Sequence, residues 1–261
     1  MPFINNDLLV DIEALVAKGS SRQSFNYKSH MATHIGHVRQ VNEDDAYCSD
    51  EQSLWLVADG MGGHAFGDKA SKTVVDHLRS FVRLGTVTES IHDLETRFSL
   101  ANKSCRGMLG DKTVGSTIAA LFVFESLALF LWAGDSRVYR YRNKRLTLLT
   151  EDHNLAQERC RRGELSQDEA QQLPSANVLT RAVGIHQNLR VEIDAESIEA
   201  DDIYLLCTDG LYRDLSVEQM ESVFSTEEFE LITSRLLDMS LDAGGKDNIT
   251  AVTMRASSRE T

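Results

Sequence analysis

The sequence predicts an α+β fold in which helices cover antiparallel sheets, and three observations carry that expectation. Apolar, strand-like runs come in a block at 117–124, 127–133, 137–142 and 145–149, with the even spacing of neighbouring antiparallel strands. Helical periodicities come as a consecutive pair, at 70–83 and 91–108, where a doubly wound parallel sheet would alternate helix with strand. Finally, 261 residues with 42% hydrophobic content, 16 Gly and 2 Pro describe one large globular domain and exclude a disordered or collagen-like chain.

In chain order, Leu8, Leu9, Ile12, Leu15 and Val16 recur at helical spacing between a capping Asn6 and a stop at Gly19. A polar stretch without period continues to Ser29. Residues 1–30 therefore read as a helical extension and linker, its apolar stripe expected to pack on the main domain, with docking to a partner as the alternative. From Met31 the pattern turns to strands, and Leu54-Trp55-Leu56-Val57-Ala58 is a short apolar run closed by Asp59-Gly60. The helical pair places Val74, Leu78, Phe81 and Val82 on one face, then Leu94, Phe98, Ala101 and Cys105 on another. The stretch 117–133 is almost apolar enough for a membrane span, yet it falls short of the roughly 20 residues a span needs. Glu125 and Ser126 at its centre make it two strands joined by a tight turn. Residues 151–177 are polar and charged, with Gly163 and Pro174 as breakers. Strands return at 190–195 and 203–207, a helix is expected at 226–243 and a last strand at 249–254.

Forty Asp plus Glu against 27 Lys plus Arg leave a formal charge of −13. That balance argues against nucleic acid and anionic membrane as partners. Cys48, Cys105, Cys160 and Cys207 form no C-x-x-C pair and read as isolated thiols in a reducing compartment. The first residues lack the basic start and apolar core of a secretory signal. A cytoplasmic monomer is the expectation.

The chemistry shows in where carboxylates fall. Asp59-Gly60, Gly134-Asp135-Ser136 and Asp209-Gly210 each close an apolar run, Gly245-Lys246-Asp247-Asn248 precedes the last strand, and Asn42-Glu43-Asp44 opens an early one. One Asp-Gly is an ordinary turn signal. Four strands each presenting a carboxylate at an apolar end would gather like charges on one rim, and a bound cation relieves them. Hard Asp oxygens suit Mg²⁺, Mn²⁺ or Ca²⁺, and no His or Cys cluster has zinc spacing. Arg39, three residues before Asn42, adds a guanidinium fork that matches a phosphate. Hard metals with one such Arg form a toolkit for phosphoester hydrolysis.

Around these residues the sequence resembles the bacterial form of the metal-dependent Ser/Thr protein phosphatases of type 2C. The resemblance runs in order from about Met31 to Met254. It rests on Thr33-His34-Ile35-Gly36-His37-Val38-Arg39-Gln40-Val41-Asn42-Glu43-Asp44, Val57-Ala58-Asp59-Gly60-Met61-Gly62-Gly63-His64 and Val114-Gly115-Ser116-Thr117. It continues through Trp132-Ala133-Gly134-Asp135-Ser136-Arg137, Leu148-Leu149-Thr150-Glu151-Asp152-His153, Leu179-Thr180-Arg181-Ala182-Val183-Gly184, Cys207-Thr208-Asp209-Gly210-Leu211 and Gly245-Lys246-Asp247-Asn248-Ile249-Thr250.

The resemblance implies a four-layer α-β-β-α sandwich over 31–256 with a flap insert at about 151–177. It implies two Mn²⁺ or Mg²⁺ ions at one end of the sandwich and removal of phosphate from phosphoserine and phosphothreonine, by attack of a metal-bridging hydroxide. Carried over by position, Asp59 bridges both ions, the Gly60 carbonyl binds one, and Asp209 and Asp247 ligate the other. Glu43 and Asp44 hold metal-bound waters, Asp135 shares a third, weaker ion with Asp209, and Arg39 holds the phosphate. Phosphorylated proteins are the implied substrates and a cognate Ser/Thr kinase the implied counterpart. One departure is Met61, which stands where eukaryotic members have a His proposed as general acid; His64 is a substitute candidate.

Three decoys accompany this reading. Gly60 to Ala65 fits G-x-G-x-x-G/A, but no acidic strand end follows about 20 residues later as a dinucleotide site requires. Cys207 to Arg213 fits C-x5-R, but Asp209 inside it would repel both a thiolate and a phosphate. Arg159, Arg161 and Arg162 either guide an acidic phosphopeptide or form a solvated helix face. A regulatory module that keeps the fold without the chemistry is the remaining alternative, opposed by the presence of Arg39, Asp59, Asp209 and Asp247 together.

Overall fold

A computed structural model describes residues 6–18, 25–62, 66–108, 114–166, 169–170, 172–173 and 175–258. The described strands are β1 (Phe25–His34), β2 (Asp44–Ser49), β3 (Leu54–Met61), β4 (Gly115–Ser116), β5 (Ile118–Phe124), β6 (Leu127–Ala133), β7 (Arg137–Arg142), β8 (Arg145–Leu148), β9 (Glu192–Ser197), β10 (Ile203–Cys207) and β11 (Ile249–Ser258). The described helices are α1 (Asn6–Lys18), α2 (Gly67–Arg79), α3 (Val87–Arg106), α4 (Leu155–Arg161), α5 (Asp209–Tyr212), α6 (Val217–Thr226) and α7 (Phe229–Asp242).

Two antiparallel sheets stack face to face. One runs β1-β11-β10-β7-β8; the other runs β2-β3-β5-β6-β9, with β4 paired to β3. Alternation along β3 shows why both faces of a sheet can be apolar: Trp55 and Val57 enter the inter-sheet core with Leu121, Tyr204 and Val252, while Leu54, Leu56 and Ala58 face α2 and α3. On the far side, Leu205, Cys207, Ile249 and Ala251 pack against Met220, Phe224, Ile232 and Leu236 of α6 and α7. The expected four-layer α-β-β-α sandwich is the observed architecture. The hairpin expected within 117–133 is β5-β6, turning at Glu125 with φ 55°.

Several boundaries differ from the sequence reading: α2 spans Gly67–Arg79, so Phe81 and the exposed Val82 lie beyond it, α3 spans Val87–Arg106, and β11 runs on to Ser258. Residues 25–29, expected as linker, are strand: β1 starts at Phe25 and pairs with β11 over ten residues, Phe25 opposite Ser258 through His34 opposite Ile249. β1 lies at a sheet edge, and after the buried Phe25 its positions are half-buried or exposed, so it carries no apolar run. The helix expected at 226–243 is α7, which begins only at Phe229, and α6 at Val217–Thr226 lies in a stretch where the sequence reading places no helix. α6 starts on a capping box, Ser216 with Gln219, and the chain leaves the helix at Glu227 before α7 begins. The strand expected at 190–195 is β9, shifted to Glu192–Ser197.

The N-terminal helix packs on its own domain as expected. Leu9 and Ile12 join the core formed by α2, α3 and β3, and Val16 lies against it, whereas Leu15 stays exposed. No described helix is long and apolar enough to cross a membrane.

Candidate active site

Antiparallel pairing brings the carboxylates together. β2 begins where β3 ends, so Asp44 faces Asp59 in register. β10 ends where β7 and β11 begin, with Cys207 opposite Arg137 and Ala251. Asp209, Asp135 and Asp247 thus reach the same end of the sandwich, Asp209 from the start of α5 just after β10 and the other two from the turns that precede β7 and β11. There an open cavity of about 640 Å³ is walled by Arg39, Glu43, Asp59, Gly60, Asp135, Asp209 and Asp247, with Arg213 among them. Asp44 is buried close enough to Asp209 and Asp247 for their charges to act on it.

Close backbone approaches shape this end. A Cβ on Gly60 would lie 1.9 Å from the Gly67 carbonyl oxygen and 2.6 Å from that of Glu43, so only glycine lets the end of β3 pass under the start of α2. Gly134, with φ +123°, turns β6 into Asp135 at a point where a Cβ would strike the Thr117 side chain at 2.6 Å. The Asp59 N–H donates to Thr117 Oγ1 at 2.9 Å and the Thr117 N–H donates to the Asp59 carbonyl at 2.8 Å, which locks the end of β3 to the residue that precedes β5.

Electrostatically the cluster is strained. Burial, then the charges of Asp44, Asp209, Asp135 and Asp247, push the Asp59 carboxyl well above its ordinary range. Asp44 and Asp135 are each pushed up to about 7, mainly by burial and then by neighbouring carboxylates. Asp209 is also raised by burial, against the opposing pull of Arg213. Asp44 Oδ2 accepts from Thr208 Oγ1 at 2.8 Å, but its buried Oδ1 has no protein partner. Buried carboxylates in such number need either protons or cations, and an all-oxygen donor set fits a hard divalent ion.

Two guanidiniums meet this charge. Arg39 Nη2 donates to Asp247 Oδ2 at 2.7 Å, with the Arg39 side chain 49% exposed at the mouth. Arg213 Nη1 lies 2.7 Å from Asp209 Oδ2 and Nη2 lies 3.4 Å from Asp135 Oδ2. Glu43, whose carboxyl accepts from the Gly67 N–H, sits at the edge, and burial raises it.

All the residues singled out in the sequence (Arg39, Glu43, Asp44, Asp59, Gly60, Asp135, Asp209 and Asp247) are brought to this one end. His64 lies outside the described residues. Two residues were missed. Asn248 staples the Arg39 loop: its Nδ2 donates to the carbonyls of Ile35 at 2.9 Å and Val41 at 3.0 Å, and its Oδ1 accepts from the Glu43 N–H at 2.8 Å. Its position beside Asp247 was visible, its three bonds were not. Arg213 figured only as the end of the cysteine decoy, although its place one helical turn after Asp209 was a readable signal. The decoy itself fails on structure: Cys207 is fully buried and its thiol is pushed up to about 12 by that burial.

A larger cavity, about 1180 Å³, opens between α3 and residues 187–192. Its acidic members are Glu95 and Glu192, and Glu192 is already paired with Arg181. Charge strain of the kind seen at the strand ends is confined to the smaller cavity among the described residues of these two.

Comparison with known proteins agrees with this geometry. The sequence model of Protein phosphatase 2C matches residues 32–248. A serine/threonine phosphatase, stp, from Listeria welshimeri is 32% identical over 232 residues, covering 84% of this chain and 92% of the relative. Among solved structures, PppA, described as a key regulatory component of T6SS in Pseudomonas aeruginosa, superposes with a TM-score of 0.82 at 37% identity, over 90% of this chain and 99% of its own. The catalytic domain of the serine/threonine protein phosphatase PstP, solved with 2 manganese ions, superposes with a TM-score of 0.80 at 28% identity, over 90% of this chain and 100% of its own. The chain belongs to the protein phosphatase 2C family of metal-dependent Ser/Thr protein phosphatases.

Proposed function

We propose that the strand-end cavity is the catalytic centre: Asp59, the Gly60 carbonyl, Asp209 and Asp247 hold two Mn²⁺ or Mg²⁺ ions there, and Arg39 holds the phosphate of a phosphoseryl or phosphothreonyl protein. The observation that carries it is the concentration of buried, mutually repelling carboxylates around one cavity, with the buried Asp44 Oδ1 left without a hydrogen-bond partner among them. Bound there, the ions supply an acidified water as nucleophile and positive charge for the phosphoryl oxygens.

The chain's own residues do the rest. Asp44 and Asp59 give up the protons that burial lets them keep, so that their charge becomes available to the ions. Asp247, which now accepts from Arg39, would turn to the ion when one is bound, and the Arg39 guanidinium fork would then be available to two phosphate oxygens. Glu43 and Asp44 accept hydrogen bonds from water at the edge and floor of the cavity. Met61 has no dissociable proton to give, so the seryl or threonyl oxygen takes its proton from water. The segment at about 151–177 acts as a flap beside the cavity, a reading supported by Asn177 at its end and the adjoining Val178 and Leu179 in the wall. The enzyme works as a cytoplasmic monomer that opposes a Ser/Thr protein kinase.

The test is phosphate release from a phosphothreonine peptide, with Mn²⁺ or with EDTA, by wild type and Arg39→Ala. The reading predicts metal-dependent release that falls roughly 10²-fold in the variant, as expected for loss of one preorganised charge-stabilising donor. Release by Arg39→Ala at the wild-type rate would remove Arg39 from the phosphate site.

A further inference from the structure

The Arg213 guanidinium spans the two carboxylates at the inner wall of the cavity, 2.7 Å from Asp209 Oδ2 and 3.4 Å from Asp135 Oδ2. We propose that Arg213 is a resident cation that takes the place of an ion between Asp135 and Asp209, so that the loaded protein holds two divalent ions and not three. The inference rests on the two-ion reading of the cavity and concerns only what fills its inner wall.

Three features hold the guanidinium in place. Arg213 follows Asp209 by one helical turn, its N–H donating to the Asp209 carbonyl at 3.0 Å, so backbone geometry delivers the side chain to the partner carboxylate. Asp135 is fixed from behind: Tyr212 Oη donates to the Asp135 carbonyl at 2.9 Å, and the Tyr212 ring lies under the Arg137 guanidinium, Cζ 3.6 Å from its centroid. Arg137 in turn is held by both oxygens of Asp152, at 2.8 Å each, and so stays clear of Asp135. Asp135 is only 3% exposed, and Arg213 is the cation that reaches it among the described residues. A divalent ion placed between the same two oxygens would face a guanidinium at contact distance. Like charges at that separation exclude each other.

A direct count of bound Mn²⁺ separates the possibilities. The full chain is dialysed against millimolar Mn²⁺, and the bound metal is measured by native mass spectrometry and calorimetry. The inference predicts two ions in wild type, two in Asp135→Asn, three in Arg213→Gln, and two again when both substitutions are combined. Three ions in wild type, or loss of one from Asp135→Asn, would overturn it, and neither observation depends on the folding of an Arg213 variant. An Arg213→Gln protein with a native circular dichroism spectrum and only two ions would overturn it as well. No bound Mn²⁺ in any of the proteins would overturn the two-ion reading and this inference with it, which tells that failure apart from the others.

Discussion

Asp44→Asn should stabilise the metal-free protein while damaging its metal site. Asp44 is 9% exposed, and burial with the charges of Asp209 and Asp247 moves its carboxyl from an ordinary 3.8 to about 7. At about 1.36 kcal/mol per pH unit, keeping that carboxylate ionised above pH 7 costs about 4 kcal/mol. A raised acid contributes its stability at low pH and loses it as pH climbs through 7, so wild type in EDTA should be less stable at pH 8.5 than at pH 5.5. Asn has nearly the same volume, and its carbonyl oxygen can accept the Thr208 hydroxyl as Oδ2 does now. Turning its amide toward the neighbouring carboxylates leaves an imperfectly paired buried donor, a cost of about 1–2 kcal/mol. The balance at pH 8.5 is a gain of roughly 2–3 kcal/mol, or about 5–10 °C in Tm for a chain of this size. The assay is thermal and urea unfolding of both proteins in EDTA at the two pH values. An Asp44→Asn protein no more stable than wild type at pH 8.5, or a wild type whose stability does not fall between pH 5.5 and 8.5, would refute the electrostatic reasoning.

The same titration should tune metal affinity. Protons and ions compete for Asp44, so calorimetric Mn²⁺ affinity should rise about tenfold between pH 6 and pH 8, and a flat profile would contradict that competition. Cys207 is sealed in the core with its thiol raised to about 12, so iodoacetamide should leave phosphatase activity intact in the folded protein; inactivation matching one label at Cys207 would reopen the cysteine route. Ile12 is 1% exposed against the α2–α3 core, and Ile12→Ala should lower stability by about 2–4 kcal/mol in urea unfolding. An unchanged midpoint would mean that α1 does not stabilise the domain.

Much of this site is legible in the chain because Asp-Gly and Gly-Asp pairs terminate runs too apolar to be anything but buried strands. Once Leu54–Ala58, Leu127–Ala133 and Ile203–Cys207 are strands of antiparallel sheets, Asp59, Asp135 and Asp209 fall at one end as a consequence of connectivity. Asn248 and Arg213 escape such reading because their roles depend on distances across the fold: from Asn248 to carbonyls more than 200 positions away, and from Arg213 to Asp135, 78 positions earlier. β1 hides for a different reason. It is an edge strand whose alternate residues, such as Asn26 and Lys28, are exposed, so pairing with β11 and not an apolar run defines it. α7 starts later than its periodicity suggests because Glu227 and Glu228, two good helix formers, serve as the C-cap of α6 and the N-cap of α7.

The most direct measurement is hydrolysis of p-nitrophenyl phosphate with and without Mn²⁺, by wild type and by Asp209→Asn. Asp209 offers one oxygen to Arg213 and lines the cavity together with Asp59 and Asp247, so its replacement should remove a proposed ion ligand without unfolding the sheets. Activity that needs Mn²⁺ and drops by at least about 10²-fold in the variant is the predicted result. Activity indifferent both to Mn²⁺ and to Asp209 would contradict the assignment of this cavity as the metal-dependent centre.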